Sequence, residues 1–150
     1  HFKALPGISF EQDERHCLVI SAPWLSSKKI MTRDIVGLLD DQTFDFIGRF
    51  DNIINSGGFK ISPEKVEARL NTILSQRFIV IGLPDVALGQ KLVLVIEGSH
   101  ISGVELMDQI KASGLNKHEV PREIHFIYQF PLTDSGKVIR PLVKEHILNK

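Results

Sequence analysis

The 150-residue chain reads as an α+β protein, a small sheet flanked by helices and preceded by a short β tail. Three observations predict this. Two continuous apolar runs, Phe78-Ile79-Val80-Ile81-Gly82-Leu83 and Leu92-Val93-Leu94-Val95-Ile96, are rich in β-branched residues and of strand length. Helix-start signals fall before and after them, at Ser62-Pro63, at Ser102 to Glu105 and at Pro141. Residues 1–49 hold only short β-like segments separated by turn formers.

In chain order, Ile8 to Phe10, the run His16-Cys17-Leu18-Val19-Ile20-Ser21, and Phe44 to Ile47 read as strands, punctuated by Pro6-Gly7, Ala22-Pro23 and Asp40-Asp41. Short strands of this kind bury little surface, so residues 1–49 are expected to be the C-terminal β segment of a larger domain. Residues 50–51 are expected to be a connection, and residues 52–150 a self-sufficient α+β domain. Asn52 to Asn55 reads as a strand entering a Ser-Gly-Gly turn. Ser62 suits a helix N-cap with Pro63 in the first turn, and Val66, Leu70, Ile73 and Leu74 give one apolar face at helical spacing. Residues 78–83 read as a central buried strand and residues 92–96 as another. Ser102-Gly103-Val104-Glu105 has capping-box spacing for a helix running to about Ser113, with Gly114 as its C-cap. Ile124 to Tyr128 reads as a third strand, and a final helix near Pro141 turns Leu142, Val143 and Ile147 inward.

Composition narrows the function. Lys+Arg 18 cancels Asp+Glu 18, which disfavours nucleic acid as a main partner, because phosphate binding needs a clustered basic excess. No apolar run approaches the ~20 residues of a membrane span, and no signal peptide is visible. One cysteine, Cys17, allows no internal disulfide and fits a reducing cytoplasm. It lies in an apolar run, as a buried structural thiol would. The six histidines share no metal-ligand spacing, so no metal site is expected. The first residue is His1 rather than Met, which fits processing or a piece of a longer protein.

The most informative stretch is Pro131-Leu132-Thr133-Asp134-Ser135-Gly136-Lys137, followed by Val138-Ile139-Arg140. It places one lysine on a turn rich in Gly, Ser and Asp, where Ser135 and Gly136 give the backbone freedom. It is not a P-loop: Pro131 stands at the first glycine position, and Val138 supplies no hydroxyl after the lysine. An ordinary turn with a solvated lysine is the competing reading. Upstream lie Thr32-Arg33-Asp34 and the run Gly48-Arg49-Phe50-Asp51-Asn52-Ile53-Ile54-Asn55-Ser56-Gly57-Gly58-Phe59-Lys60-Ile61-Ser62-Pro63-Glu64-Lys65-Val66-Glu67.

In this order and spacing the three pieces resemble the adenylate-forming superfamily of acyl-CoA synthetases, peptide-synthetase adenylation domains and luciferases. The resemblance covers roughly residues 18–145 and falls on the C-terminal end of much longer enzymes. It implies that Lys137 is the catalytic lysine of adenylation, whose ammonium stabilises charge as a carboxylate meets the α-phosphate of ATP. It implies that Asp34 accepts the ribose hydroxyls of ATP and that Arg49 contacts ribose or phosphate. Arg33 departs from the family pattern, which has glycine there, and puts the local turn in doubt. Asp51 falls at the hinge between two orientations of the C-terminal domain, and hinges need not be glycine. Gly57-Gly58 matches the loop lining the pantetheine channel, where absent side chains let a thiol arm pass. A tight hairpin turn is the alternative for those glycines. Lys60 is a candidate for a CoA phosphate.

The same resemblance implies ATP, Mg2+ and CoA as co-substrates and cofactor, with ATP and Mg2+ held mainly by an N-terminal domain not represented in these residues. That domain would also carry the phosphate loop, the adenine platform and the acyl pocket. The expected partners are therefore a small-molecule carboxylate, ATP, CoA and that domain, and the chain alone is expected to be inactive. The Asn-Ser-Gly-Gly loop and compact tail are similar to o-succinylbenzoate–CoA ligases of menaquinone biosynthesis. Two alternatives stand beside a CoA ligase: an adenylation domain loading a carrier protein's phosphopantetheine, and an interaction module that kept the fold without the chemistry.

Overall fold

A computed structural model describes residues 1–99 and 103–149 and divides them into two compact units, His1–Ile53 and the residues from Ile54 onward. The first unit is an antiparallel sheet of β1 (Phe2–Lys3), β2 (Ser9–Gln12), β3 (Cys17–Ser21), β4 (Ile30–Leu38) and β5 (Thr43–Arg49), in the order β1-β5-β4-β3-β2. The turn from β2 to β3 is built on Asp13, whose Oδ1 accepts the Arg15 and Cys17 amides at 2.8 and 2.9 Å. That turn places His16 in the left-handed region, at φ 62°. Phe10, Leu18 and Val36 form its core, with Phe44 stacked on Phe2 and edge-on to Phe10. A 3-10 turn, Phe50–Asn52, follows β5.

Strand β4 was not expected from the sequence, although it is nine residues long. Its alternation is broken. The register shifts between Ile35 and Val36 against β5, and between Cys17 and Val19 against β3. A bulge of this kind turns consecutive apolar residues to different faces, so the period-2 signal disappears. Thr32-Arg33-Asp34 accordingly lies on a strand and not in a turn.

The second unit places β9 (Gly89–Glu97) at the centre of a mixed sheet. β8 (Phe78–Asp85) runs antiparallel along one edge of β9, from Phe78↔Ile96 to Asp85↔Gly89. The other edge takes β10 (Glu123–Ile127) in parallel and, at Gly89, β6 (Ile54–Ser56), which forms a hairpin with β7 (Phe59–Ile61). Helices α1 (Pro63–Leu70) and α2 (Gly103–Ala112) cover one face, and α3 (Arg140–Leu148) covers the other. Leu92, Leu94 and Ile96 pack with Val66, Leu70 and Ile110, while Val93 and Val95 pack with Val143 and Ile147. Burial of both faces explains why the β8 and β9 sequences are continuously apolar and do not alternate.

Several expectations need correction. The run 78–83 is buried, but among the described residues β8 pairs only with β9 and is an edge strand; the central strand is β9. Asn52 lies in the 3-10 turn and the strand begins at Ile54, with β7 an additional return strand. Ser62 does cap α1, its Oγ accepting the Lys65 amide, and Pro63 occupies the first turn. Within α3, Val143 and Ile147 are buried, but Leu142 is 46% exposed. Adjacent helical positions point about 100° apart, so Val143 faces the sheet and its neighbour Leu142 does not. Ser102, the proposed cap of α2, lies outside the described residues.

Gly82 of β8 sits under β6, where an added Cβ would lie 2.9 Å from Ile54 Cγ2. Gly82→Ala is therefore expected to destabilise the second unit by about 1–3 kcal/mol through overpacking. Denaturant unfolding checks this, and an unchanged midpoint would show that β6 yields freely.

Candidate functional site

The charged residues of the first unit are arranged in pairs by the β4–β5 ladder. Asp34 and Arg49 are register partners, and Arg49 Nε lies 3.2 Å from Asp34 Oδ1. Arg33, one residue earlier, points its guanidinium to Asp51, with Nη1 2.8 Å from Oδ1. A strand sends neighbouring side chains to opposite faces, so Arg33 and Asp34 take different partners. Arg49 pairs with Asp34, while the nearby carboxylates Asp45 and Asp51 pair with His1 and Arg33. Thr32 braces the strand, its Oγ1 donating to the Leu18 carbonyl at 2.8 Å and accepting the Asp34 amide at 3.2 Å. Asp34 is half-buried, whereas Arg49 and Asp51 are exposed.

Lys137 belongs to the second unit and sits on a closed hairpin. Leu132 bridges Val138 in antiparallel fashion. The Thr133 amide donates to the Lys137 carbonyl and the Ile139 amide to that of Pro131, at 2.8 and 2.9 Å. The Thr133 hydroxyl accepts the Lys137 amide at 3.1 Å, and Gly136 takes the positive φ of 78° that this turn requires. The lysine side chain is exposed and makes no ion pair or hydrogen bond among the described residues. The lysine is thus held on a defined loop whose tip faces solvent.

Gly57 and Gly58 form the two-residue turn between β6 and β7, at φ 57° and 84°. Positive φ at both positions is the mark of a type I′ hairpin, which matches the twist of the strands. The hairpin reading of these glycines is therefore correct. It is compatible with a binding role, because the turn borders a cavity of about 280 Å³ lined by Gly57, Phe59, Leu88, Lys117, His118 and Arg122. Phe59 and His118 stack face to face there, with ring centroids 4.2 Å apart and planes 4° apart. Lys60 is exposed on β7. Sequence reasoning missed this cavity because its walls come from β7 and from the segment before β10, far apart in the chain.

It also missed Glu67 and Arg140. Arg140 Nη2 donates to both oxygens of Glu67 at 2.8 Å. Burial pushes the Glu67 carboxyl above the usual carboxylate range, against the opposing pull of Arg140 and the Val80 amide. The available signal was position. Glu67 lies one residue past the buried Val66, and Arg140 follows the lysine run directly. No cluster of three or more His, Cys, Asp or Glu suited to a metal occurs among the described residues. Cys17 is fully buried, and burial raises its thiol pKa, as for a structural cysteine.

An α+β unit presenting one lysine on a closed hairpin, with a diglycine turn beside a cavity, has the fold of the adenylate-forming enzymes. The o-succinylbenzoate CoA synthetase of Bacillus subtilis, in complex with its acyl-adenylate intermediate, superposes with a TM-score of 0.80 at 19% identity, covering 93% of this chain and 34% of that one. Sequence comparison carries the assignment further. Triostin synthetase I of Streptomyces triostinicus is 34% identical over 110 residues, 71% of this chain and 21% of that protein. The 2-succinylbenzoate–CoA ligase of Enterococcus faecalis is 32% identical over 120 residues, 78% of this chain and 24% of the ligase. The chain belongs to the adenylate-forming superfamily, with AMP-forming acyl-CoA ligases among its homologues. It spans between 21% and 27% of the length of the curated relatives it matches. No protein-family model matches it. Among the described residues no helix is long and apolar enough to cross a membrane.

Next to the cavity, Glu123 is hydrogen-bonded by Lys91 and, at 3.0 Å, by His125. These two bonds, Lys91's first, hold its carboxyl below the usual range. A depressed carboxylate pKa contributes stability that is present above the unfolded value, about 4.3, and is lost as pH falls through the folded value. Urea unfolding of the chain followed from neutral pH to about pH 3 should show this loss, and Lys91→Met should remove part of it. An identical pH slope in the variant would place the acid sensitivity elsewhere.

Proposed function

We propose that the chain is the C-terminal region of an ATP-dependent acid–thiol ligase, working with a large AMP-binding domain. The observation that carries this is the Lys137 hairpin: an ammonium without an ion pair among the described residues, on a hydrogen-bonded loop, in a chain homologous to AMP-forming ligases. In the first half-reaction a carboxylate oxygen attacks the α-phosphorus of ATP. The bond to the bridging oxygen of the β-phosphate breaks, giving acyl-adenylate and pyrophosphate. Lys137 supplies the positive charge that offsets the growing negative charge, at little reorganisation cost because its loop is already ordered. In the second half-reaction the CoA thiol, losing its proton, attacks the acyl carbon and releases AMP.

Asp34 is assigned to the ribose hydroxyls and Arg49 to ribose or phosphate. The pairing across β4 and β5 supports these roles, since each side chain orients the other. Asp51 is assigned to the hinge, on the 3-10 turn that precedes the boundary of the two compact units. Gly57 and Gly58 are assigned to the pantetheine path. The Lys117 and Arg122 cations at the neighbouring cavity suit the phosphates of CoA. Magnesium finds no ligand cluster among the described residues and is assigned to ATP and the partner domain. The 2-succinylbenzoate–CoA ligase relative makes an o-succinylbenzoate-like aryl acid, and hence menaquinone biosynthesis in the cytoplasm, the substrate and setting to test first.

In the full-length protein carrying this chain, Lys137→Ala is expected to lower carboxylate-dependent pyrophosphate exchange about 10²–10³-fold. Thioester formation from supplied acyl-adenylate should survive. Gly58→Leu should do the reverse, while Gly58→Ala, which shares the backbone strain without the bulk, should lose less. Equal loss of both half-reactions in each variant would defeat the assignment, as would acyl-adenylate formation by the 150-residue chain alone. Comparing free CoA with a phosphopantetheinyl carrier as acceptor separates the two ligase classes.

A further inference from the structure

The free edge of β8 is closed by two side chains. Val80 faces away from β9, and both of its backbone polar groups are taken there. Its amide donates to Glu67 Oε1 at 2.7 Å, and its carbonyl accepts from Arg140 Nη1 at 2.7 Å. Arg140 Nη2 donates to both Glu67 oxygens, closing a ring of four hydrogen bonds. The pair is well shielded, with side-chain exposures of 22% for Arg140 and 17% for Glu67. Donor and acceptor are thus presented to Val80 as a neighbouring strand would present them. Only the planar fork of arginine reaches the carbonyl and the carboxylate together.

Arg140 is also the first residue of α3, three positions after Lys137. The N-cap of α3, Ile139, has no side-chain capping bond, and the first turn contains no acidic residue. The Ile139 amide is the bond that closes the Lys137 hairpin onto Pro131. The hairpin base and the start of α3 are therefore tied to the sheet through the Arg140 fork, with Val138 packed beneath on the α3 face. Among the described residues the Lys137 ammonium makes no hydrogen bond or ion pair, so its place relative to the sheet is set from this base.

We propose that Glu67 and Arg140 are positioning residues for Lys137: through Val80 they hold the hairpin base on β8, so that adenylation depends on them and thioester formation does not. The functional half of this rests on the ligase reading above; the structural half does not.

Two measurements separate those halves. The first is amide hydrogen exchange on the 150-residue chain with Arg140→Gln, Arg140→Lys and Glu67→Gln. The expected result is faster exchange, by about 10-fold or more, at Thr133, Gly136, Lys137 and Ile139, with Leu94 and Val95 of β9 still protected. Arg140→Lys should give an intermediate change. Unchanged hairpin amides, or a uniform rise that includes β9, would overturn the proposal.

The second measurement is made in the full-length protein carrying the chain. Arg140→Gln should lower the kcat of adenylation by about 10–100-fold, as a small misplacement of the reacting group would. KM for ATP and thioester formation from supplied acyl-adenylate should hold. Parallel loss in both half-reactions, or full adenylation by the variant, would overturn the proposal. If the unsubstituted protein shows no exchange with any carboxylate, the ligase reading fails, and hydrogen exchange alone decides whether the pair positions the hairpin.

Discussion

Strand β9 is paired on both edges and buried on both faces, and the rest of the second unit is arranged around meeting those four demands. Leu92, Leu94 and Ile96 require α1 and α2 on one side; Val93 and Val95 require α3 on the other. β8 occupies one edge along its full length, and β10 and β6 divide the other between them. Every candidate functional element of this unit is attached to that frame. The diglycine turn leads from β6 into β7, the cavity lies against the end of β9 and the segment before β10, and the Lys137 hairpin runs from β10 into α3. A buried strand satisfies its backbone through its neighbours, so the placement of these loops follows from the hydrogen-bond ladder and needs few contacts of their own.

Electrostatics divides the candidate residues into two kinds. Arg33 with Asp51, Arg49 with Asp34, and Arg140 with Glu67 are matched pairs, each joining segments distant in sequence. The first two lie at the surface, with Asp34 half-buried, and contribute little stability, so their value is orientation. The Glu67–Arg140 pair is shielded and serves the backbone of Val80, which converts a costly burial of charge into a closed strand edge. Lys137 stands apart from all of them. An ammonium that forms no ion pair among the described residues keeps its charge available for an anionic ligand, which is what adenylation of a carboxylate asks of it.

Much of this was legible in the amino-acid sequence, and what was not has identifiable causes. The buried strands, the Ser62-Pro63 start of α1 and the lysine-bearing turn are local signals, written in periodicity and in the special backbone needs of Gly and Pro. Strand β4 was missed because its bulges break the alternation that identifies a half-buried strand. β8 was taken for a central strand because burial on two faces looks the same whether one edge or both are paired. Leu142 was placed inward because a spacing of one residue within a short helix does not fix which flank meets the sheet.

Local patterns along the chain encode the kinds of element, the α+β class and the order of the lysine, aspartate–arginine and diglycine motifs. All of these depend on residues within a few positions of one another. Which residues meet is fixed by the folded chain: Asp34 with Arg49, Phe59 with His118, and Glu67 with Arg140 across 73 positions. Those meetings depend on strand order and register. Strand order and register are set by the mutual burial of whole faces, which no local pattern encodes.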